Sequence, residues 1–163
     1  MHRSSGRDRT VGGKRLECMF RKITIFLIFI FSCTLVDVFA QRTYTPEKGS
    51  VERKAILNSL RLPVEKELKQ KIVFNADHFK VQGNWAFISG SPQTSSGRRP
   101  DYRNTPYRDA VDSGAFDNNF FALLKKTSGK WKVVKRALGC TDVCALDWSS
   151  IYNAPKAIFP YNE

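Results

Sequence analysis

The pattern of apolar and polar positions after residue 40 predicts one helix near the start of this segment. Thr45-Pro46-Glu47 has the composition of a helix start, with a capping residue, a proline at the first helical position and an acidic residue beside it. Apolar residues then recur at helical spacing from Val51 to Leu60. Pro63 is expected to interrupt the helix, because proline disfavours helical geometry in the residue before it.

The period of the pattern changes near residue 71 from helical to extended. Four segments rich in β-branched and aromatic residues predict strands, at residues 71–81, 85–90, 120–126 and 130–137. The last two alternate cleanly around Thr127-Ser128-Gly129, which predicts a hairpin. Alternation slips near Asp77-His78, which predicts a bulge or bend. Trp148 and Tyr152, one turn apart, indicate a short C-terminal helix.

These elements together predict an α+β fold. We expect an N-terminal helix packed on a curved antiparallel sheet of about four strands, followed by the short C-terminal helix. Strand order does not follow from the sequence.

The segment before residue 41 has a different pattern, which predicts a basic leader and a signal peptide over residues 1–40. Arg21-Lys22 precedes an apolar run of 14 residues, shorter than the roughly 20 residues of a membrane-spanning helix. A small residue, Ala40, ends the segment, and we expect cleavage after it. An uncleaved anchor and lipid attachment at Cys33 are the alternatives, and Met19 would serve as a start as well as Met1.

Cleavage after Ala40 would leave 123 residues, which form a single domain by size. The protein is then expected to be exported, periplasmic or secreted, with no membrane span after cleavage. From Gln41 onward there are 20 basic and 12 acidic residues, a formal charge of +8. The basic residues occur in pairs rather than long runs, which is typical of a solubilising surface or of a protein that contacts an anionic envelope component. No motif for specific nucleic-acid binding is present in the sequence.

Cys140 and Cys144 are the two cysteines that follow residue 40. In an oxidising compartment they predict a small loop-closing disulfide, with a pair of free thiols as the alternative. Three residues separate them rather than two, which does not favour a redox enzyme. With His78 as the one histidine after residue 40, no metal site and no cofactor are predicted.

The irregular segment at residues 91–119 is the best candidate for a contact surface, because loops of this length are commonly functional. Arginine and tyrosine side chains concentrate there, and these residue types anchor binding interfaces. The candidate binding residues are Arg98, Arg99, Tyr102, Arg103, Tyr107 and Arg108. The alternative is that Tyr102 and Tyr107 hold the loop onto the sheet.

Catalytic arrangements find less support in the sequence, and no catalytic residue is assigned. Asp77 and His78 are adjacent on a predicted strand, so their side chains are expected on opposite faces. Asp142 and Asp147 beside Trp148 are explained more simply as helix caps than as paired carboxylates.

An apolar ligand would require a pocket between helix and sheet. Trp85, Phe87 and Phe121 would line it, although a filled core is the simpler expectation at these positions.

Four segments of the chain resemble a family of small exported bacterial proteins of unknown function. They are Arg53-Lys54-Ala55-Ile56-Leu57, the stretch from Asn84-Trp85-Ala86 to Ser91-Pro92, Lys130-Trp131-Lys132-Val133-Val134, and Gly139 with Thr141-Asp142-Val143. The resemblance implies a single-domain exported protein and brings no assigned reaction. A helix followed by strands also resembles cystatin-like and nuclear-transport-factor-like folds, an analogy that carries no function by itself.

The sequence therefore predicts an exported, non-catalytic binding or interaction module of the cell envelope. Its expected partner is an unidentified envelope protein or an anionic envelope component. The alternative is a small envelope enzyme or a ligand-binding pocket protein that uses a cavity under the sheet.

Overall fold

The computed structural model of the chain describes residues 41–142 and 144–161. The predicted leader, the signal peptide and the cleavage position after Ala40 lie outside the described residues. A four-stranded antiparallel sheet with accompanying helices makes up the described part, so the predicted α+β class is confirmed.

Helix α1 spans Val51–Leu68, and the Ser50 side chain caps it by accepting a hydrogen bond from the Arg53 amide at 3.2 Å. The predicted start at Thr45-Pro46-Glu47 is therefore wrong. Backbone hydrogen bonds of 2.8 and 2.9 Å join Tyr44 to Val81 of the sheet. Because this pairing keeps the chain extended at Tyr44, the helix begins only after the turn that follows.

Pro63 lies inside α1, so the predicted interruption is also wrong. The buried positions Ile56, Leu60, Val64 and Leu68 keep helical spacing across the proline, and each is at most 2% exposed. A proline inside a helix costs about 3 kcal/mol, whereas burying a side chain such as Val64 or Leu68 contributes about 1.5–3 kcal/mol. The two buried side chains beyond Pro63 therefore offset its cost.

The sheet is a meander in which neighbours in sequence are neighbours in space, in the order β1-β2-β3-β4. The strands are β1 (Val73–Gln82), β2 (Trp85–Gln93), β3 (Phe120–Thr127) and β4 (Lys130–Leu138). The four predicted strands and the hairpin around residues 127–129 are confirmed, with ends that differ by at most three residues.

The predicted bulge in β1 is confirmed, because the register of β1 on β2 shifts between Ala76 and His78 and leaves Asp77 as the extra residue. Gly90 of β2 faces this point. A Cβ atom built at Gly90 would lie 2.0 Å from the Asn75 carbonyl oxygen. Glycine at position 90 therefore permits the close approach of the two strands beside the bulge.

The two faces of the sheet are covered by different parts of the chain. One face packs on α1, in a core that includes Ile56, Leu60, Phe79, Ile88 and Trp131. The other face packs on the C-terminal segment, in a core that includes Trp85, Phe87, Trp148, Ile158 and Phe159. The sheet is not curled, so the predicted curvature is not observed; a second layer buries the face that faces away from α1.

Three short helical segments complete the described part. Helix α2 (Arg108–Asp112) lies inside the long loop and was not predicted, whereas helix α3 (Trp148–Ile151) is the expected short C-terminal helix. A 3-10 turn follows at Lys156–Ile158. Across residues 41–142 and 144–161, no helix has the length and apolar character needed to cross a membrane.

Candidate functional site

The loop that follows β2 is fastened to the end of α1 by Gln70. Its amide nitrogen donates to the Asp101 carbonyl oxygen at 2.7 Å, and its amide oxygen accepts from the Asp101 backbone N–H at 3.0 Å. This side chain therefore satisfies both backbone groups of one loop residue, as a neighbouring strand would.

Tyr102 and Tyr107 form an aromatic cluster with Phe116 beneath the loop. The Phe116 ring lies 4.6 Å from the Tyr102 ring and 5.1 Å from the Tyr107 ring, measured between centroids. Tyr102 is only 4% exposed, and its hydroxyl donates to Asn118 Oδ1 at 2.7 Å. Burial raises the pKa of Tyr102 to about 12. The Tyr102 ring thus packs into the core below the loop surface.

Tyr107 takes part in a polar bridge between the loop, α1 and β4. Its hydroxyl donates to Glu67 Oε1, and the Arg136 guanidinium contacts Glu67 Oε2 from the other side. Burial, followed by the hydrogen bond to Glu67, raises the pKa of the Tyr107 hydroxyl. The bridge links three elements around one partly buried carboxylate, which keeps Tyr107 fixed relative to the sheet.

The surface above these tyrosines is a shallow groove of about 260 Å³. We call it the arginine groove, and its lining residues are Arg99, Pro100, Asp101, Tyr102, Arg103, Arg108, Val111 and Asp112. The sequence predicts Arg98 as a binding residue together with the other arginines, but Arg98 does not line this groove. Its side chain is exposed, and its Nε donates to Ser96 Oγ at 3.2 Å.

The arginines of the groove differ in their partners. Arg103 pairs with Asp101 at 2.7 Å, and the hydrogen bonds from Arg103 lower the pKa of that carboxyl to about 2. Arg108 pairs with Asp112 at 3.5 Å. Arg99 instead lies 5.4 Å from the centroid of the Tyr102 ring, and no carboxylate of the described residues pairs with it. Its planar guanidinium is a donor suited to carboxylate or phosphate.

A second groove, of about 350 Å³, runs along the outer edge of β1 and is lined by both Asp77 and His78. Five consecutive residues of this edge strand, residues 76–80, line the groove, so a place in its lining does not by itself bring the Asp77 and His78 side chains together. His78 Nε2 lies 2.7 Å from the Ile158 carbonyl oxygen. Since a carbonyl only accepts, Nε2 carries the proton, and the neutral ring has its acceptor at Nδ1.

The remaining candidates have structural surroundings. Asp147 occupies the N-cap of α3 without a capping hydrogen bond from its side chain, and the adjacent Trp148 is 4% exposed. The proposed pocket at Trp85, Phe87 and Phe121 is not between helix and sheet. All three residues contribute to the core on the opposite face, where the Phe87 ring is 4.6 Å from the Phe159 ring.

Cys140 and Cys144 are placed at disulfide distance, with Cα atoms 6.4 Å apart, as the sequence predicts. In the described residues, no group of three or more histidine, cysteine or acidic side chains is arranged around a possible metal position.

Several lysines that are far apart in the sequence share one face of the sheet, a grouping that the pairs of basic residues along the chain do not indicate. Alternate residues of a strand share a face, and this signal places several lysines of β1, β3 and β4 together on the face opposite α1.

In comparisons with protein-family models, curated proteins and solved structures, no match to this chain was found. The resemblance to small exported bacterial proteins therefore stays a prediction from the sequence.

Proposed function

We propose that residues 41–163 act as an exported, non-catalytic binding module of the cell envelope. In this proposal, the arginine groove holds a carboxylate or phosphate group of an envelope partner. The observation that carries it is the state of Arg99, which is exposed, lies over the buried Tyr102 ring and has no carboxylate partner among the described residues.

The charges in the groove support an anionic partner. Arg103 and Arg108 are each matched by an aspartate of the same groove, so these pairs are close to neutral. The charge of Arg99 is the excess. A guanidinium is more weakly hydrated than an ammonium group and presents a rigid fork of N–H donors, which favours bidentate contact with an anion.

The way in which the loop is held also supports binding. Gln70 fixes the Asp101 backbone, the Tyr102 hydroxyl is bonded to Asn118, and Tyr107 is bonded to Glu67. A surface whose geometry is already set loses less conformational entropy when a partner binds, which raises affinity for a given set of contacts.

Crosslinking in intact cells, followed by mass spectrometry of what the tagged protein captures, tests the proposal. We expect wild type to capture one enriched envelope partner and Arg99→Gln to lower that capture by about tenfold, the effect of losing one hydrogen bond between charged groups. Arg42→Gln is the matched control. It removes the same charge, and Arg42 is exposed and lies outside the groove. Equal capture by wild type and Arg99→Gln would reject the groove as the contact surface.

Export is tested separately from binding. The chain recovered from the envelope or the medium is expected to begin at Gln41, as read by mass spectrometry of its N-terminal peptide. A chain that stays in the cytoplasm with residues 1–40 attached would contradict export and leave the groove itself to be tested with purified protein.

The groove beside β1 favours a second candidate function, a small envelope enzyme. His78 has one ring nitrogen bonded to the Ile158 carbonyl, and Asp77 lines the same groove. A histidine with a fixed tautomer is a candidate general base. Screening of hydrolysable esters and glycans against wild type and His78→Gln tests this candidate, and equal turnover by both would reject it.

A further inference from the structure

The register of the sheet brings five lysines onto one face. Cross-strand partners share a face. Successive cross-strand partners form a row across the sheet, and one row runs from Lys80 through Phe87 and Leu123 to Lys135. In the next row, Lys125 and Lys132 are direct partners. Lys130 follows, opposite Thr127. We call this surface the lysine face, and its members are Lys80, Lys125, Lys130, Lys132 and Lys135.

The positive charge of the lysine face has no acidic partner within the rows of the sheet, although Asp77 and Glu47 line the groove beside β1 together with Lys80. None of the five lysines forms an ion pair with a residue of the described part. Lys125 lies over the Trp85 ring at 4.6 Å, directly beside Lys132. Like charges at directly opposed positions destabilise a sheet. A surface needed only for solubility gains nothing from this arrangement, whereas an anionic partner would relieve the repulsion.

The width of the lysine face favours an extended anionic surface as the partner. Its charges are spread over β1, β3 and β4, and the C-terminal segment packs on Phe87 and Leu123, which stand between Lys80 and Lys135. The aromatic residues among them, Trp85 and Phe87, are 8% and 0% exposed. They therefore offer no stacking platform for the bases of a single-stranded nucleic acid.

Two exposed apolar side chains belong to the C-terminal segment that packs on the same face of the sheet. They are Leu146 and Ile151, which are 64% and 59% exposed. Basic residues combined with exposed apolar side chains are typical of surfaces that bind anionic membranes, because the cations meet lipid phosphates while the apolar groups enter the headgroup boundary.

We propose that the lysine face docks this protein onto the surface of an anionic phospholipid bilayer, independently of the arginine groove. The lysine ammonium groups contact lipid phosphates, and Leu146 and Ile151 add apolar contact. The tyrosines beneath the arginine groove belong to the core on the α1 side of the sheet. Docking through the lysine face therefore leaves the groove free for a partner.

Vesicle co-sedimentation tests the proposal with the protein purified as cells produce it. Wild type is expected to bind vesicles of phosphatidylglycerol mixed with phosphatidylcholine, and not vesicles of phosphatidylcholine alone. Lys130→Gln, Lys132→Gln and Lys135→Gln together are expected to weaken binding on the order of 100-fold at low salt, from about fivefold for each lysine near the membrane surface. The three lysines are exposed, and unfolding by urea checks that the triple variant folds.

The matched control carries Lys54→Gln, Lys66→Gln and Lys69→Gln, which remove the same charge from exposed positions outside the lysine face. We expect this control to bind as wild type does, and Lys→Arg changes at residues 130, 132 and 135 to preserve binding. Equal weakening in the two Gln triple variants would overturn the lysine face as the docking surface. Failure of wild type to bind phosphatidylglycerol vesicles, or binding only to a soluble polyanion such as polyphosphate, would overturn the bilayer as the partner.

Leu146→Ser combined with Ile151→Ser separates the apolar contribution. This double variant is expected to weaken binding in a way that persists at high salt, because apolar contact is not screened whereas the lysine contribution is. Unchanged binding would overturn the role assigned to the two apolar side chains.

Discussion

Tyr102 supports the arginine groove from beneath, and its two parts have separate roles. The ring fills the space beside Phe116 and the hydroxyl satisfies Asn118 Oδ1. We expect Tyr102→Ala to lower the free energy of unfolding by about 3 kcal/mol, because it leaves a cavity where an aromatic ring was packed. Tyr102→Phe keeps the ring and is expected to cost about 1 kcal/mol for the lost hydrogen bond.

Urea denaturation of the two Tyr102 variants measures both losses. Since Arg99 lies over this ring, Tyr102→Ala is also expected to reduce partner capture, whereas Tyr102→Phe is expected to retain it. A Tyr102→Ala protein as stable as wild type would show that the buried ring contributes nothing to the core.

The same tyrosine predicts how stability depends on alkaline pH. An unfolded tyrosine ionises near pH 10, whereas burial raises the pKa of Tyr102 to about 12 in the fold. The raised pKa means that the folded state favours the neutral hydroxyl. This stabilising contribution is complete below about pH 10 and is lost as the pH rises toward 12.

Urea denaturation at a series of pH values tests this dependence. The free energy of unfolding of wild type is expected to fall between about pH 10 and pH 12, and Tyr102→Phe is expected to show a shallower fall. Tyr161→Phe is the control, because Tyr161 is 44% exposed. Identical slopes for wild type and Tyr102→Phe would contradict the assignment.

At the scale of an element, the pairing of β3 with β4 includes a repulsion between two lysines that a single substitution should remove. Lys125 and Lys132 are direct cross-strand partners. Lys132→Glu replaces a repulsive pair with an attractive one, and cross-strand pairs contribute roughly 0.2–1 kcal/mol. We expect the variant to be more stable than wild type by an amount in this range and to bind anionic vesicles more weakly.

Lys132→Gln is the control for this change, because it removes the repulsion without adding attraction. Its stability is expected between those of wild type and Lys132→Glu, as measured by thermal unfolding. If Lys132→Glu lowered stability, the lysine pair would not be a source of strain in the sheet.

The elements also show how far the sequence predicts the fold. The four strands, the hairpin and the bulge at Asp77 follow from local alternation and turn chemistry, and the structure confirms them. The start of α1 depends on the pairing of Tyr44 with Val81, 37 positions later, and local pattern contains no sign of such a contact. Continuation through Pro63 depends on burial against the sheet, which outweighs backbone preference.

The candidate site is predictable to a similar degree. Residue types in the long loop identify the arginines and tyrosines, but the burial of Tyr102 and the partner of Tyr107 depend on Phe116, Asn118 and Glu67, which lie up to 40 positions away. The side of the sheet on which Trp85 and Phe87 lie is likewise a tertiary property, because the C-terminal segment covers them. Alternation along β4 indicates that Lys130 and Lys132 share a face, but their position beside Lys80 and Lys125 depends on strand order and register, which do not follow from the sequence.

At the scale of the whole molecule, the two proposed surfaces belong to opposite sides of the sheet. The aromatic support of the arginine groove is part of the core beneath α1, whereas the lysine face shares its side of the sheet with the C-terminal segment. The surfaces also differ in chemistry. The groove combines arginines with paired aspartates, whereas the rows of the sheet that carry the lysine face hold no acidic residue.

This separation predicts that the two binding activities are independent. Substitutions at distant sites without shared partners usually have additive effects. Arg99→Gln is therefore expected to leave vesicle binding unchanged, and the Gln triple variant at residues 130, 132 and 135 is expected to leave capture through the groove unchanged in purified protein. In each assay, vesicle binding or partner capture, the protein with all four substitutions should show the product of the fold-changes measured for Arg99→Gln and for the triple variant. A departure larger than about twofold would show that the two surfaces act as one site, and a single anionic partner that reaches around the edge of the sheet would then replace the separate bilayer and envelope partner.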